Sequence, residues 1–425
     1  MDEFFLHYLW KFQKFDRRPF LLTDGSQLQV FNPGYQNDDS GPDFLEAKLR
    51  IDDIDWVGAV EIHHKASDWI HHNHHKDKRY EGVVLHVVWI ADKDITLSDG
   101  TPLPTFQMAD FQNGSLESDY RKYINQPVTI KCASFLHKIN PLIITSMLDQ
   151  ALVERLSAKA NRIIKVLKES KGDWESATFQ LIAQNFGFAV NNQAFDTWSR
   201  SFDYDLLQRY ANQPDKCYAL TFGLAGFLAN PLDDYSSQLK KEYDHLKTKH
   251  KFDSVVERHH WKFSRLRPAN FPTVRLAELT AIYIKQKNLF STILGSMTIE
   301  QIRRLFDITL PEYWQSHYDF GSPMKNRTNN LGKSSIDILI INVVAPLLAA
   351  YSRYIDDQNY MDRAIDFLNQ IPAESNKLTK EWVNLSLDPK HAADSQALIQ
   401  RHKFYCQKSR CLNCNIGIAI LHSRQ

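Results

Sequence analysis

The residues whose types and spacing could do chemistry lie between Gly41 and Trp89. Pro42-Asp43 opens an alternating stretch, Phe44 to Ile51, and Glu61 lies inside the next one, Trp56 to His63. Alternation along a strand sends Glu61 and His63 to one face and Val60 and Ile62 to the other. If the strand that begins at Asp43 pairs beside the one carrying Glu61, the two carboxylates come close enough to share a cation. Carboxylate oxygens suit Mg²⁺ or Mn²⁺. Such an ion polarises a phosphodiester and lowers the pKa of an attacking water.

Histidine is concentrated in the same segment. Of 17 histidines in the chain, seven (His63, His64, His71, His72, His74, His75 and His86) fall within 24 residues. Imidazole titrates near neutrality and ligates metals, so the cluster points to proton transfer or metal chemistry. Ser67 or Asp68 can cap a helix carrying His71, His72, His74 and His75. At helical spacing His71, His74 and His75 share one face, and His72 lies on another with Asp68. A polar surface helix would carry the same residues. His86, between Leu85 and Val87 in an apolar run, is expected to be a core histidine. The candidate catalytic set is Asp43, Glu61, His63, His72 and His74.

The pattern Pro42-Asp43 followed by Glu61-Ile62-His63 resembles the PD-(D/E)XK nuclease superfamily, with His63 where that superfamily usually has lysine. The resemblance implies an α/β nuclease core, a Mg²⁺ or Mn²⁺ ion on Asp43 and Glu61, and cleavage of DNA or RNA. A lysine keeps its charge across the physiological range, whereas histidine does so over only part of it. Gly58 to His63, with Trp69 and His72-Asn73-His74, is also similar to the very-short-patch repair endonuclease branch. That likeness implies that histidines near the metal assist, with His72 or His74 as proton donor or extra ligand.

The elements that must position these groups follow from periodicity. Gln27 to Phe31 alternates and ends at the turn Asn32-Pro33-Gly34. Phe44 to Ile51, Trp56 to His63 and Val83 to Ile90 are further strands, and Met1 to Lys11 reads as an amphipathic first helix. The order helix, strand, strand, strand, helix, strand predicts an α/β domain over residues 1–125. From Asn140 the spacing turns helical. Leu148, Leu152, Leu156, Ile163 and Leu167 form one stripe, and Phe179, Ile182, Ala183 and Phe186 another. Further helices are expected at Glu278 to Lys287, Ile336 to Ile355, Met361 to Ile371 and Ala392 to His402. The expected class is α+β, with an all-α domain over 140–425.

Net charge is +1, but residues 1–130 hold 21 acids against 13 bases, whereas Leu239 to Arg275 holds ten bases against four acids. A polyanion would be drawn to that belt. Within it Lys262, Arg265 and Arg267 interleave with Trp261 and Phe263, which suits nucleic-acid phosphates and bases. Solvated helix faces and bonds to helix-end carbonyls are the plainer alternatives.

Five cysteines, three of them in the last 20 residues, argue against a disulfide framework. His402, Cys406, Cys411 and Cys414 have the composition of a tetrahedral Zn²⁺ site. Cys132 could replace His402, and four thiolates would also take an iron–sulfur cluster, as in some recombination nucleases. Free thiols at a helix end are the alternative. The acidic start without a basic region or cleavage site does not read as a signal peptide. Ile338 to Ala350 falls short of a membrane span. A cytoplasmic protein without a membrane partner is expected.

Across nearly its whole length the chain resembles a bacterial family, mainly from Bacteroidota, defined as domain of unknown function 2851. The residues that carry this are Gly41 to Phe44, Val60 to His63, Ser67 to Trp69, His72 to His74, Leu85 to Val88, Arg267 to Pro272 and the terminal cysteines. The family brings no activity with it. Three readings follow: a metal-dependent nuclease, a nucleic-acid-binding protein on a nuclease-like fold without catalysis, and a structural or adaptor protein with a structural zinc.

Overall fold

The computed structural model describes residues 3–15, 19–37, 39–111, 115–252, 256–324 and 331–422. The class is α+β, and the chain forms two compact units, 1–147 with 403–425, and 148–402.

The first unit is built on one mixed sheet. Its elements are α1 (Glu3–Lys11), β1 (Phe20–Leu21), β2 (Gln27–Asn32), β3 (Tyr35–Gln36), β4 (Phe44–Ile51), β5 (Ile54–Lys65), α2 (Asp68–His71), β6 (Val83–Ile90), β7 (Thr105–Gln107) and α3 (Ser115–Ile124). The strand order is β1-β2-β4-β5-β6-β7, with β3 pairing to β4. β2, β4 and β5 form an antiparallel meander, and the acidic turn after Ile51 closes it: Asp52 has φ +49° and its carboxylate accepts the Gln27 amide at 2.8 Å. β6 then runs parallel to β5, which requires the crossover over residues 66–82 that carries the histidines.

Apolar side chains of α1 (Phe5, Leu6, Leu9, Trp10) pack with Val60, Ile62, Leu85 and Val87 in one core. A smaller core of Ala66, Trp69, Tyr80, Val83 and Val88 is formed with the crossover. The alternation of β4 is broken at Glu46, whose φ of +56° marks a bulge between Phe44 and Ala47. A second shift in register, between Ala59 and Val60, sets Glu61 opposite His86 and Ile62 opposite Val87.

The second unit is mostly helical. The stripes of Pro141–Glu169 and Trp174–Phe186 are buried as expected, and Pro272–Lys285 is buried over most of its length. Lys333–Ile355 is longer than the sequence suggested and reaches the length and apolarity of a membrane span, but 67% of it is buried inside the fold, as in a core helix. It contains a π turn, Ile340–Val344, directly before Pro346, where a proline would otherwise clash with the preceding turn. A two-stranded hairpin, His317–Asp319 with Ser322–Pro323, interrupts what was expected to be an all-α region. The expected boundary also moves: the last residues belong with the first unit rather than with the helices they follow in sequence.

Candidate metal centre

β5 supplies the two central groups. Glu61 and His63 sit on the face opposite Val60 and Ile62, at 5% and 1% exposure. Two histidines then meet Glu61, and a third meets one of them. His74 Nε2 lies 3.2 Å from Glu61 Oε1, His63 Nε2 lies 3.5 Å from the same oxygen, and His63 Nε2 lies 3.1 Å from His72 Nδ1. The ligand atoms of His63, His72 and His74 all fall within 4.8 Å of one another. Donors bound at about 2.0–2.1 Å to a tetrahedral ion stand about 3.3 Å apart along each edge, so these separations are those of a ligand shell.

The crossover brings the last two histidines in by a break rather than by a continuous helix. α2 ends at His71, Asn73 takes φ +62°, and His74–Lys76 forms a separate 3-10 turn. Asparagine tolerates that left-handed conformation better than most residues. The expected grouping of His71, His74 and His75 is therefore corrected. His72 and His74 are the pair that meets, with ring centroids 5.5 Å apart, while His71 is exposed and only 3.4 Å from Asp68. The helix start differs too. The Ser67 hydroxyl donates to Asp92 at 2.8 Å instead of capping, and Asp68 accepts the Lys65 amide at 3.0 Å. His74 is held by Tyr80, stacked at 3.8 Å, and by the edge of Trp69.

His86 stands behind His63, with its Nε2 at 2.8 Å from His63 Nδ1. It is fully buried, as a core histidine should be, but its bond to His63 makes it part of the site. When His63 Nδ1–H donates to His86, the His63 Nε2 lone pair is left free for a cation, an arrangement typical of ligating histidines.

Asp43 enters where Gly41, at φ +123°, turns the chain into β4. Its backbone N–H donates to Glu61 Oε2 at 3.1 Å, and its own Oδ2 accepts the Ile62 N–H at 2.9 Å. The two carboxylates named from sequence are thus neighbours, held by the Asp43 and Ile62 amides. Asp43 is about a quarter exposed at the lip of the site. One further residue was not foreseen: His7 of α1 lies with Nε2 3.3 Å from Asp43 Oδ2, an ion-pair separation without good hydrogen-bond alignment.

The electrostatics follow from burial. Desolvation, helped by neighbouring His86, His74 and His72, pulls His63 down to about 2, and desolvation pulls His86 to about 3. Both are neutral imidazoles with lone pairs to give at any physiological pH. Burial pushes Glu61 well above the carboxylate range, and Asp43 adds to it. Burial also lowers His7, but Asp43 outweighs it and the net shift is upward. Without an ion Glu61 therefore keeps its proton near neutral pH, and a divalent cation among these neutral rings would bind by displacing it.

The other predicted residues lie elsewhere. Lys262, Arg265 and Arg267 are exposed in the second unit, on an irregular loop before the 3-10 turn Pro268–Asn270. The Lys262 backbone is clamped by Asn191, which accepts its N–H and donates to its carbonyl, both at 2.8 Å. Part of the basic belt, 253–255, is outside the described residues. His402 is buried in the second unit, 3.6 Å from Glu381, whereas Cys406, Cys411, Cys414 and Cys132 all belong to the first.

The family described as "Protein of unknown function (DUF2851)" matches residues 3–377. The chain belongs to the DUF2851 family. The matched span holds every residue of the candidate metal centre of this DUF2851 member and ends before its three terminal cysteines. No curated protein and no solved structure matches the chain.

Proposed function

We propose that the first unit is a metal-dependent, nuclease-like hydrolase of phosphodiesters, with its ion held by Glu61, His63, His72 and His74. The observation that carries this reading is the His63, His72 and His74 triad, whose ligand atoms lie within 4.8 Å of one another, with Glu61 Oε1 3.2 Å from His74 and 3.5 Å from His63, and with exposed His72 and part-exposed Asp43 on the solvent side. Three imidazoles and one carboxylate suit zinc or another first-row transition ion better than the Mg²⁺ expected from two carboxylates alone. When bound, such an ion polarises a phosphoryl oxygen and makes a nearby water more acidic.

The chain's own residues have distinct tasks. The Asp43 amide holds Glu61 Oε2 and so aims Oε1 at the histidines. His86 fixes the tautomer of His63. Asp43, held by the Ile62 amide and backed by His7, is placed at the lip to accept a proton from water. Nucleic acid as the substrate class rests on the likeness of Pro42-Asp43 and Glu61-Ile62-His63 to nuclease motifs, and on the exposed Lys262, Arg265 and Arg267 as phosphate contacts.

The test is cleavage of labelled DNA and RNA by untagged protein reconstituted with Zn²⁺, Mn²⁺ or Mg²⁺. Metal-dependent cleavage abolished by Asp43→Asn and Glu61→Gln is expected. Cleavage that survives both changes would overturn the assignment.

One observation favours a structural zinc instead: four protein donors leave no open position, which is how structural ions are held. In that case metal removal would loosen residues 67–80, and no turnover would appear with any ion.

A further inference from the structure

Four of the five cysteines lie in the first unit, and none of the five forms a disulfide. Cys132 is 7% exposed at the head of the 3-10 turn Ala133–Lys138. The other three arrive from the far end of the chain. After the π turn His402–Cys406 the chain reverses sharply: the Ser409 amide donates to the Cys406 carbonyl at 3.1 Å, the Arg410 amide to Tyr405 at 2.9 Å, and Ser409 takes φ +53°. Cys411–Asn413 is then a 3-10 turn closed by the Cys414 amide on the Cys411 carbonyl at 3.1 Å. That bond sets Cys414 one tight turn beyond Cys411.

Two contacts tie this returning segment to its place. The terminal helix Asn415–His422 presses on the turn so closely that a β-carbon on Gly417 would fall 2.1 Å from the Cys411 carbonyl oxygen. Tyr123 of α3 packs edge-on against Phe135 in the Cys132 turn, ring centroids 6.1 Å apart, and Tyr120 of the same helix shares a core with Leu412 beside Cys411. Burial raises the Cys132 thiol, and Cys406, Cys414 and Cys411 each raise it further. Four cysteines drawn from two distant stretches of chain thus gather at α3, two of them buried and two half-buried. As free thiols they would be four weak hydrogen-bonding groups with little to gain from crowding. As thiolates they would repel one another unless a cation sat among them.

We propose that Cys132, Cys406, Cys411 and Cys414 are the ligands of one thiophilic metal centre, a zinc ion or an iron–sulfur cluster, that clips the chain's end to its first unit. Soft thiolate donors in a set of four select these two occupants over hard cations. The centre is independent of the histidine site, since the two share no ligand.

The test is metal, iron and acid-labile sulfide analysis of untagged protein purified without oxygen, together with the absorption spectrum. A second equivalent of zinc in a colourless protein, beyond the one the histidine site would take, or iron and sulfide with visible charge-transfer bands, supports the centre and identifies its occupant. The metal should be lost in Cys132→Ser and Cys414→Ser and kept in Cys217→Ala, whose sulfur is buried in the second unit. It should also be kept in Glu61→Gln, which separates this proposal from the hydrolase reading. Should the serine variants fail to fold, cobalt substitution of the wild type gives the answer, because thiolate-to-cobalt bands are expected. Their absence, four freely reactive thiols in the folded protein, or a disulfide among them would overturn the proposal.

Discussion

His74 Nε2 faces Glu61 Oε1 across 3.2 Å, although a turn of helix and a left-handed asparagine separate the two in the chain. That relationship makes the crossover between β5 and β6 part of the site rather than a connection, and most of what can be tested follows from it.

Asn73 should govern whether the site assembles. Its φ of +62° is costly for a β-branched residue and easy for glycine. Asn73→Val should lose about 1–2 kcal/mol of stability and bind metal more weakly, whereas Asn73→Gly should bind nearly as the wild type does. Chelator competition and thermal unfolding on the two variants check this. Equal affinities would show that the break at Asn73 does not set the positions of His72 and His74.

His86 should matter without touching an ion. Its Nε2 lies 2.8 Å from His63 Nδ1, and removing that partner in His86→Leu should weaken metal binding by about 10–100-fold. Isothermal titration with Zn²⁺ measures the change. A variant that folds and binds at full strength would remove His86 from the site.

Much of this centre was legible in the sequence, and the limits have physical causes. Asp43 and Glu61 could be paired because both flanking strands alternate, and alternation fixes which side chains share a face. Val83 to Ile90 was readable as a buried strand because it is a nearly unbroken apolar run. The break at Asn73 was not, because the histidines around it fit a helical face equally well. His7 could not be found from sequence, since only the packing of Leu6 and Leu9 against the sheet turns it toward Asp43. Residue types can suggest that His402 completes a cysteine site, but which segment supplies the fourth donor is decided by where the chain end docks.

Acid should unfold the metal-free protein early. His63 and His86 have folded pKa values of about 2 and about 3 against an ordinary 6.5, so below 6.5 the unfolded chain binds more protons than the folded one. Their contribution is fully present above 6.5 and is lost progressively as pH falls toward those folded values. Glu61, raised by burial, acts in the opposite sense, so the two rings prevail only below 6.5: urea unfolding between pH 6 and 4 should show a falling midpoint, less steep in His86→Leu. A midpoint independent of pH over that range would contradict the neutral, buried state of both rings.

If the second unit contacts phosphates, affinity for nucleic acid should fall with salt. Each lost contact in Arg265→Ala or Arg267→Ala should reduce the slope of log affinity against log salt by about 0.7–0.9. Fluorescence anisotropy with single- and double-stranded oligonucleotides measures this. Slopes identical to the wild type in both variants would remove these arginines from the interface.

The central claim is that Glu61, His63, His72 and His74 share one ion, and X-ray absorption of zinc-loaded protein measures it most directly. A Cys414→Ser background removes the signal of the sulfur ligands. The account predicts a four-coordinate shell of nitrogen and oxygen at about 2.0–2.1 Å, with three imidazole scattering patterns that fall to two in His74→Phe. No bound zinc at stoichiometric loading, or a shell unaltered by His74→Phe, would contradict it.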